Sequence, residues 1–563
     1  MKPHAPPPKA YSEIQIVRLV WLAIFVSAFS FLYYNRNGEV LLYGDAVAHI
    51  NIARRVFDSK TPGLLQLGTV WLPLPHLLIL PFIVSKQMWQ SGSGGSIPSM
   101  AAYVFGALGI FRLVRSALCL EGKVNGATQV SAWAAAIIYC ANPNLIYMQA
   151  TAMGESLYLA FFIWAAVYFA EFARGGETSA RSLTKCGVCL AAACLTRYDG
   201  WFLAVLMVVG VVVVSFHVFK RKEEAPRFGA SRISLLRFFL IAAAAPVFWL
   251  AYNAAVYRNP LEFANGPYSA HAIEQKTATV NPAKGNLRAA ASYFLKAAEL
   301  NVSEANWLGR LWLALALLGS FVAGFSGQGR AGLWLWAPLP FYSLSVAYGS
   351  VPIFLPTWWP FTYYNVRYGL QLLPAFAVFV PLGISFVVQS TAKIGQLNPF
   401  VTRRVSTIVL VSVFGLASAS YGGIWHADPI CYREAAINSR GRVELDKQVA
   451  GWLKPLPSDS TLLMYLGEHV GTLQQAAIPL RRVINEGNHR VWKQPADLQG
   501  LWERALADPA AYADFVIGFD GDPVWKSATD HHLTALVEIH TTGQPRAVLF
   551  RGRMQESGQE PRR

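Results

Sequence analysis

The stretch VRLVWLAIFVSAFSFLYYNRNGEVLLYGDAVAHINIARR, residues 17–55, decides how the rest of the chain is read. Its first half, Val17 to Tyr34, approaches the roughly 20 apolar residues that cross a bilayer as a helix. It follows a short basic, Pro-rich head, and no small-residue cleavage site comes after it, so it reads as a retained signal-anchor. Its second half turns polar and sets an acidic residue, Asp45, at the head of an amphipathic helix. A charged group placed directly behind a span is the most informative feature of the chain.

Composition extends the first reading to the whole chain. Of the 563 residues 54% are hydrophobic and 14% charged, with a mean hydropathy of +0.33. A soluble globular protein carries about 25% charged residues. Runs such as WFLAVLMVVGVVVVSF, from Trp201, repeat the apolar pattern. The net charge of +16 sits in short links between these runs, as in KRKEEAPR from Lys220. That is the positive-inside bias of cytoplasmic loops, and no nucleic-acid-binding signature accompanies it. The six cysteines imply no disulfide framework. Cys119, Cys140, Cys186, Cys189 and Cys194 lie in or beside apolar helices, and Cys431 alone is placed outside. The CxxC at Cys186 reads as small packing residues in a membrane helix.

Loop charge threads a topology. Basic links at the N-terminus, Arg112 to Lys123, Arg174 to Lys185, Lys220 to Arg237, Arg330 and Lys393 to Arg404 are put on the cytoplasmic side. Spans that satisfy all of them run approximately over 15–34, 99–119, 129–148, 154–173, 184–197, 200–219, 236–257, 306–325, 331–349, 368–389 and 404–425. That makes about eleven crossings, with the N-terminus cytoplasmic and the C-terminus outside. Residues 72–89, which hold Pro73, Pro75 and Pro81, are then an interfacial helix of the first outer loop. The expected domains are a transmembrane part over 1–425, with a first outer loop at 35–98 and a long outer loop at 258–305, and an outer domain over 426–563. In the latter, the runs STLLMYL, ADFVIGFD, LTALVEIH and RAVLF alternate with helical stretches, which suggests a small α/β domain.

Several ionisable residues fall at the outer ends of predicted helices: Asp45, His49, Glu155, Arg197, Asp199 and Arg367. Asp45 occupies an N-cap position, and His49, four residues on, shares its face. Each has a plainer account. Asp45 could cap, Glu155 could answer a helix dipole, and His49 could be a packed histidine. Arg197 and Asp199 could pair at a turn closed by Gly200. Arg367, beside Trp358, Trp359, Tyr363 and Tyr364, could anchor at the interface. Their convergence from four segments favours a site. Asp520-Gly521-Asp522 reads as a β-turn after a strand, and Asn301-Val302-Ser303 matches a glycosylation sequon.

With GDAVAH in the first outer loop, NPNLIYMQATAMGESLYLAFF at 142–162, LTRYDGWFL at 195–203 and NVRYGLQLLPAFAV at 365–378, the chain resembles the GT-C glycosyltransferases. These membrane enzymes use lipid-phosphate-linked sugars and include protein O-mannosyltransferases, the aminoarabinose transferase of lipid A and the oligosaccharyltransferase catalytic subunit. The resemblance reaches to about Trp425 and leaves the tail outside it. It implies an α-helical polytopic fold of GT-C type. It also implies an inverting transfer from a polyprenyl- or dolichyl-phosphate sugar to an acceptor of unknown kind on the extracytoplasmic side. Asp45 is then the general base, with His49 and Glu155 as further catalytic candidates. Arg197, Asp199, Arg367, Tyr368, Arg54 and His76 are candidates for substrate binding. The oligosaccharyltransferase branch uses a divalent metal. Its paired acidic motif stands here as Gly154-Glu155-Ser156, so no metal ligands are assigned. The rival readings are a lipid or solute transporter, against which no inverted repeat is found, and a non-catalytic assembly protein.

Overall fold

The structure, a computed structural model, describes residues 8–118, 126–220, 231–276, 280–325, 329–394, 399–467, 469–488 and 499–553. Parts of the basic links at 119–125, 221–230 and 395–398 lie outside the described residues, as does Cys119. Contacts group the described residues into two compact units. One is drawn from Met1–Asn37, Ser96–Trp249 and Ala264–Glu434, the other from Gly38–Gly95, Leu250–Phe263 and Ala435–Arg563.

The first unit is helical. Among the described residues, seven helices are long and apolar enough to cross a membrane: Glu13–Arg36, Ser93–Leu118, Glu155–Arg174, Asp199–His217, Arg232–Tyr257, Asn306–Phe325 and Val366–Val387. On the first, Trp21, Phe25 and Phe29 are each 67% exposed. Their four-residue spacing makes one apolar stripe, a face that only lipid satisfies. The chain is a multi-pass membrane protein.

Other expected spans take different forms. Helix Pro399–His426 covers the span expected at 404–425. The span expected at 129–148 is broken. Helix Gly126–Cys140 ends, and Asn142 caps a second helix, Pro143–Gln149, by accepting from the Leu145 N–H at 3.0 Å. Pro143 has no N–H to continue the first helix and suits the start of the next. At 331–349 a 3-10 turn, Arg330–Trp336, precedes a helix of 11 residues, Pro338–Tyr348. Pro338 and Pro340 restart the helix there instead of prolonging it. Residues 72–89 form Pro73–Ile79 and Lys86–Ser91, of 7 and 6 residues. At about 1.5 Å per residue neither is long enough to cross a bilayer.

Polar and glycine contacts lock the helices. Ser27 Oγ donates to Gln149 Oε1 at 2.7 Å, and Gln149 Nε2 donates to Ser30 Oγ at 2.8 Å. Gln149 is fully buried, so the first helix is tied to the second half of the broken third span through hydrogen bonds inside apolar surroundings. Gly319 and Gly383 bring helices Asn306–Phe325 and Leu373–Ile394 together backbone to backbone. A Cβ on Gly319 would lie 2.0 Å from the Phe379 carbonyl oxygen, and one on Gly383 would lie 2.4 Å from Gly319 Cα. Small residues at such crossings are how membrane helices approach closely.

The second unit holds a five-stranded mixed sheet in the order β2-β1-β3-β5-β4. Its strands are β1 (Leu462–Met464), β2 (Val483–Ile484), β3 (Phe515–Phe519), β4 (Thr534–Ile539) and β5 (Ala547–Arg551). β2, β1 and β3 run parallel, and the β3–β5 and β5–β4 pairs are antiparallel. Leu463, Ile484, Val516, Val524, Val548 and Phe550 form its core with Trp502 from helix Leu501–Ala507. Edge strand β4 is mostly exposed and carries a register shift between Ala535 and Val537. The two-residue β2 was not predicted, because so short a run has no alternation to read.

Candidate active site

In the first unit three chain segments bring charged groups to one place. Helix Glu155–Arg174 begins behind Gly154 with no side-chain cap, so the Glu155 carboxylate meets the positive end of the helix. Arg197 lies in the short link before Asp199, which opens the next span. Gly200 makes that link possible, since a Cβ there would lie 2.5 Å from the Ala193 carbonyl oxygen. Arg367 sits in the 3-10 turn Val366–Leu372, entered through Asn365 at φ 57°.

The resulting network is dense. One oxygen of Glu155, Oε1, accepts from Arg197 Nη1 at 3.0 Å and from Arg367 Nε at 3.2 Å. Arg197 Nε reaches both Asp199 oxygens at 3.3 Å. Its Nη2 donates to Tyr342 Oη at 2.9 Å, and Tyr342 donates on to Asp199 Oδ2 at 2.8 Å. The Tyr368 ring faces both guanidinium groups, at 5.1 Å from Arg197 and 5.2 Å from Arg367. Among the described residues, Glu155 Oε2, in a side chain only 1% exposed, has no hydrogen-bond partner. A buried acceptor left open in this way is unfavourable by itself and suits a ligand hydroxyl.

Two members were missed in the sequence. Tyr342 lies inside an apolar run, where a buried tyrosine has no distinguishing signal. Glu434 follows the region of resemblance, in helix Ile430–Leu453. Its Oε1 accepts from Arg367 Nη1 at 2.9 Å and its Oε2 from the Val366 N–H at 2.7 Å. Burial pushes the Glu434 carboxyl above its ordinary range, while the neighbouring Arg367 charge pulls it back.

The second unit holds the remaining candidates. Asp45 is not the N-cap of its helix, Gly44–Arg55. Tyr43 takes that position, and Asp45 lies in the first turn, where the helix dipole favours its charge. His49 Nδ1 and His76 Nε2 are 2.8 Å apart, and the Trp71 ring lies 4.2 Å from that of His49. His76 is fully buried. Burial pushes its pKa well below the ordinary value, and His49 and Arg55 add to the effect. Arg54 is held internally, with Nε on Asp58 Oδ2 at 2.8 Å and Nη1 on the Ile83 and Val84 carbonyls.

Asp522 caps helix Pro523–Asp530 by accepting from the Trp525 N–H at 2.5 Å, it also accepts from the Phe519 N–H at 3.0 Å, and Gly521 has φ 84°. The Asp-Gly-Asp segment is thus a turn and a cap. Asn301 of the sequon is fully buried and donates to the Ala297 and Val366 carbonyls at 2.9 Å, so it offers no accessible acceptor. Among the described residues no group of three or more His, Cys, Asp and Glu side chains could hold a metal ion. The two arginines on Glu155 also compete with any cation there. A divalent metal does not fit these side chains.

Neither a family model nor a curated protein matches the sequence. Solved structures do match. ArnT from Cupriavidus metallidurans, bound to undecaprenyl phosphate, superposes with a TM-score of 0.54 at 12% identity, covering 97% of this chain and 99% of that one. Its apo state gives 0.53 at 14% identity, covering 96% and 98%. The oligosaccharyltransferase of Archaeoglobus fulgidus gives 0.45 at 12% identity, covering 90% of this chain and 69% of that one. The chain shares the fold of ArnT from Cupriavidus metallidurans.

Proposed function

We propose that the protein is an inverting glycosyltransferase that moves a sugar from a polyprenyl- or dolichyl-phosphate carrier to an acceptor hydroxyl on the extracytoplasmic side. The observation that carries this reading is the pair of arginines on one Glu155 oxygen. Held in fixed forks, Arg197 and Arg367 are suited to a departing phosphate, whose charge grows as the sugar leaves. The bound undecaprenyl phosphate of the ArnT structure supports a lipid phosphate as the ligand.

Asp45 accepts the proton of the acceptor hydroxyl as its oxygen bonds to the anomeric carbon. The bond from that carbon to the phosphate oxygen breaks, and the carrier phosphate leaves toward the arginines. Glu155 Oε2 receives a substrate hydroxyl. Asp199 and Tyr342 hold Arg197 in place, Tyr368 covers both guanidinium planes, and His49 and His76 orient the substrate beside Asp45. Arg54, being held internally, shapes the loop that carries Asp45. About eleven crossings place the N-terminus in the cytoplasm and residues 426–563, as an α/β domain, outside.

The test is transfer by the purified protein in nanodiscs from a polyprenyl-phosphate sugar, compared with Asp45→Asn. General-base catalysis is typically worth about 10²–10⁴ in rate, and the variant should lose that much while still binding donor. Near-normal turnover in Asp45→Asn would remove Asp45 from the mechanism. Comparison of membrane lipids and glycans by mass spectrometry, with and without the protein, identifies sugar and acceptor.

A further inference from the structure

We infer that Glu434 is a positioning residue that aims Arg367 at the donor phosphate, an inference that rests on the donor reading above. Glu434 divides its two oxygens between a side chain and the backbone. Oε1 takes Arg367 Nη1 at 2.9 Å, and Oε2 takes the Val366 N–H at 2.7 Å. The peptide units on either side of Val366 are therefore both held, because Asn301 Nδ2 donates to the Val366 carbonyl at 2.9 Å. Asn365 Nδ2 in turn donates to the Pro352 carbonyl at 2.9 Å. Gly369 closes the turn against helix Leu287–Val302, where a Cβ would lie 2.3 Å from the Ala297 carbonyl carbon. With the backbone fixed at Val366, the remaining freedom of Arg367 is its long side chain. Glu155 and Glu434 hold it from two directions, and both are 1% exposed.

Stability alone is a poor reason for this arrangement. Any neutral acceptor could serve the Val366 N–H, and burying a carboxylate with an arginine adds little net stability. What the carboxylate adds is one orientation for a guanidinium that otherwise loses considerable rotamer entropy whenever it grips a ligand. Pre-orienting the fork lets phosphate bind without that loss. The residue comes from the first turns of helix Ile430–Leu453, beyond the part of the chain that carries the family resemblance.

Glu434→Gln separates the two roles. The glutamine oxygen can still accept from Val366 N–H, while its amide nitrogen cannot accept from Arg367. Undecaprenyl phosphate is titrated into the full-length protein in nanodiscs. Glu434→Gln should weaken binding about tenfold, the scale of one charge-assisted hydrogen bond, with a melting temperature close to that of the parent. Arg367→Ala should weaken it at least as much, and adding Glu434→Gln to Arg367→Ala should change nothing further. Glu434→Asp, charged but one methylene short, should fall between parent and Gln. Parent-like binding by Glu434→Gln, or two losses that multiply in the double variant, would overturn the inference and leave the donor reading intact. No binding of undecaprenyl phosphate by the parent would overturn the donor reading and this inference with it.

Discussion

At the scale of single residues, the charged network separates what spacing can reveal from what it cannot. Glu155, Arg197, Asp199 and Arg367 stand out in the sequence because charge beside apolar runs is expensive. Tyr342 and Glu434 do not, being an aromatic among aromatics and an acid in an ordinary amphipathic helix. Asp45 was placed two positions from the true cap because Tyr43, with no capping side chain, gives no signal. Arg197→Lys keeps the charge and loses the fork that serves Glu155, Asp199 and Tyr342 together. It should weaken undecaprenyl phosphate binding by about tenfold or more, whereas Arg112→Lys, in a half-exposed pair with Glu171, should leave it unchanged. Equal affinities in a titration would make Arg197 a structural partner of Asp199 alone. A second residue reports on pH. His469 stacks on Phe519 at 3.7 Å, and burial brings its pKa down to about 4. The unfolded chain takes up that proton near the ordinary histidine value of about 6.5 and the folded chain resists it. The contribution is therefore complete above about 6.5 and is lost as pH falls toward 4, to the extent of about 3 kcal/mol. Asp446, lifted to about 7 by burial, runs the other way, so the readable quantity is a difference. The melting temperature of His469→Phe relative to the parent should rise steadily from pH 7 to pH 4.

At the scale of elements, hydropathy located helices and missed their interruptions. The apolar run at 129–148 has the length of a span, but Pro143 and its cap at Asn142 divide it. The run at 331–349 was likewise read through its prolines. Periodicity averages over a window, while a missing N–H acts at one position. Backbone contact between helices is equally silent in one dimension, because a glycine in a span could be lipid-facing or pressed against a neighbour. Gly319 and Gly415 illustrate the two cases. Gly319→Ala forces a methyl group against the Phe379 carbonyl. Overpacking of this kind typically costs about 1–3 kcal/mol, and the melting temperature in detergent should fall clearly. At Gly415 a Cβ would meet nothing within 4 Å, and Gly415→Ala should be neutral or slightly stabilising through helix propensity. Similar losses for both variants would mean that the Asn306–Phe325 and Leu373–Ile394 crossing is looser than its geometry indicates.

At the scale of the whole molecule, the threading by basic loops makes a prediction that labelling can read. In the background of the native cysteines, Ser91→Cys, at an exposed position, should react with an impermeant maleimide in right-side-out vesicles. A phosphatase that works only outside the cytoplasm should be active when fused after residue 553. Reaction of Ser91→Cys only after permeabilisation, or an inactive fusion, would require the loops to be redrawn. The tie between Ser27, Ser30 and Gln149 bears on how such a topology is assembled. The donor and acceptor serines precede their glutamine by 122 and 119 residues. At about 5–20 residues synthesised per second, the first helix waits some 6–24 s for its partner. During that interval Ser30 can satisfy itself on the Val26 carbonyl of its own helix, at 2.8 Å. Gln149 Nε2 has the same recourse, since it reaches the Ile146 carbonyl of its own segment at 3.2 Å. Each side of the tie thus has a bond within its own segment to hold until the partner helix arrives.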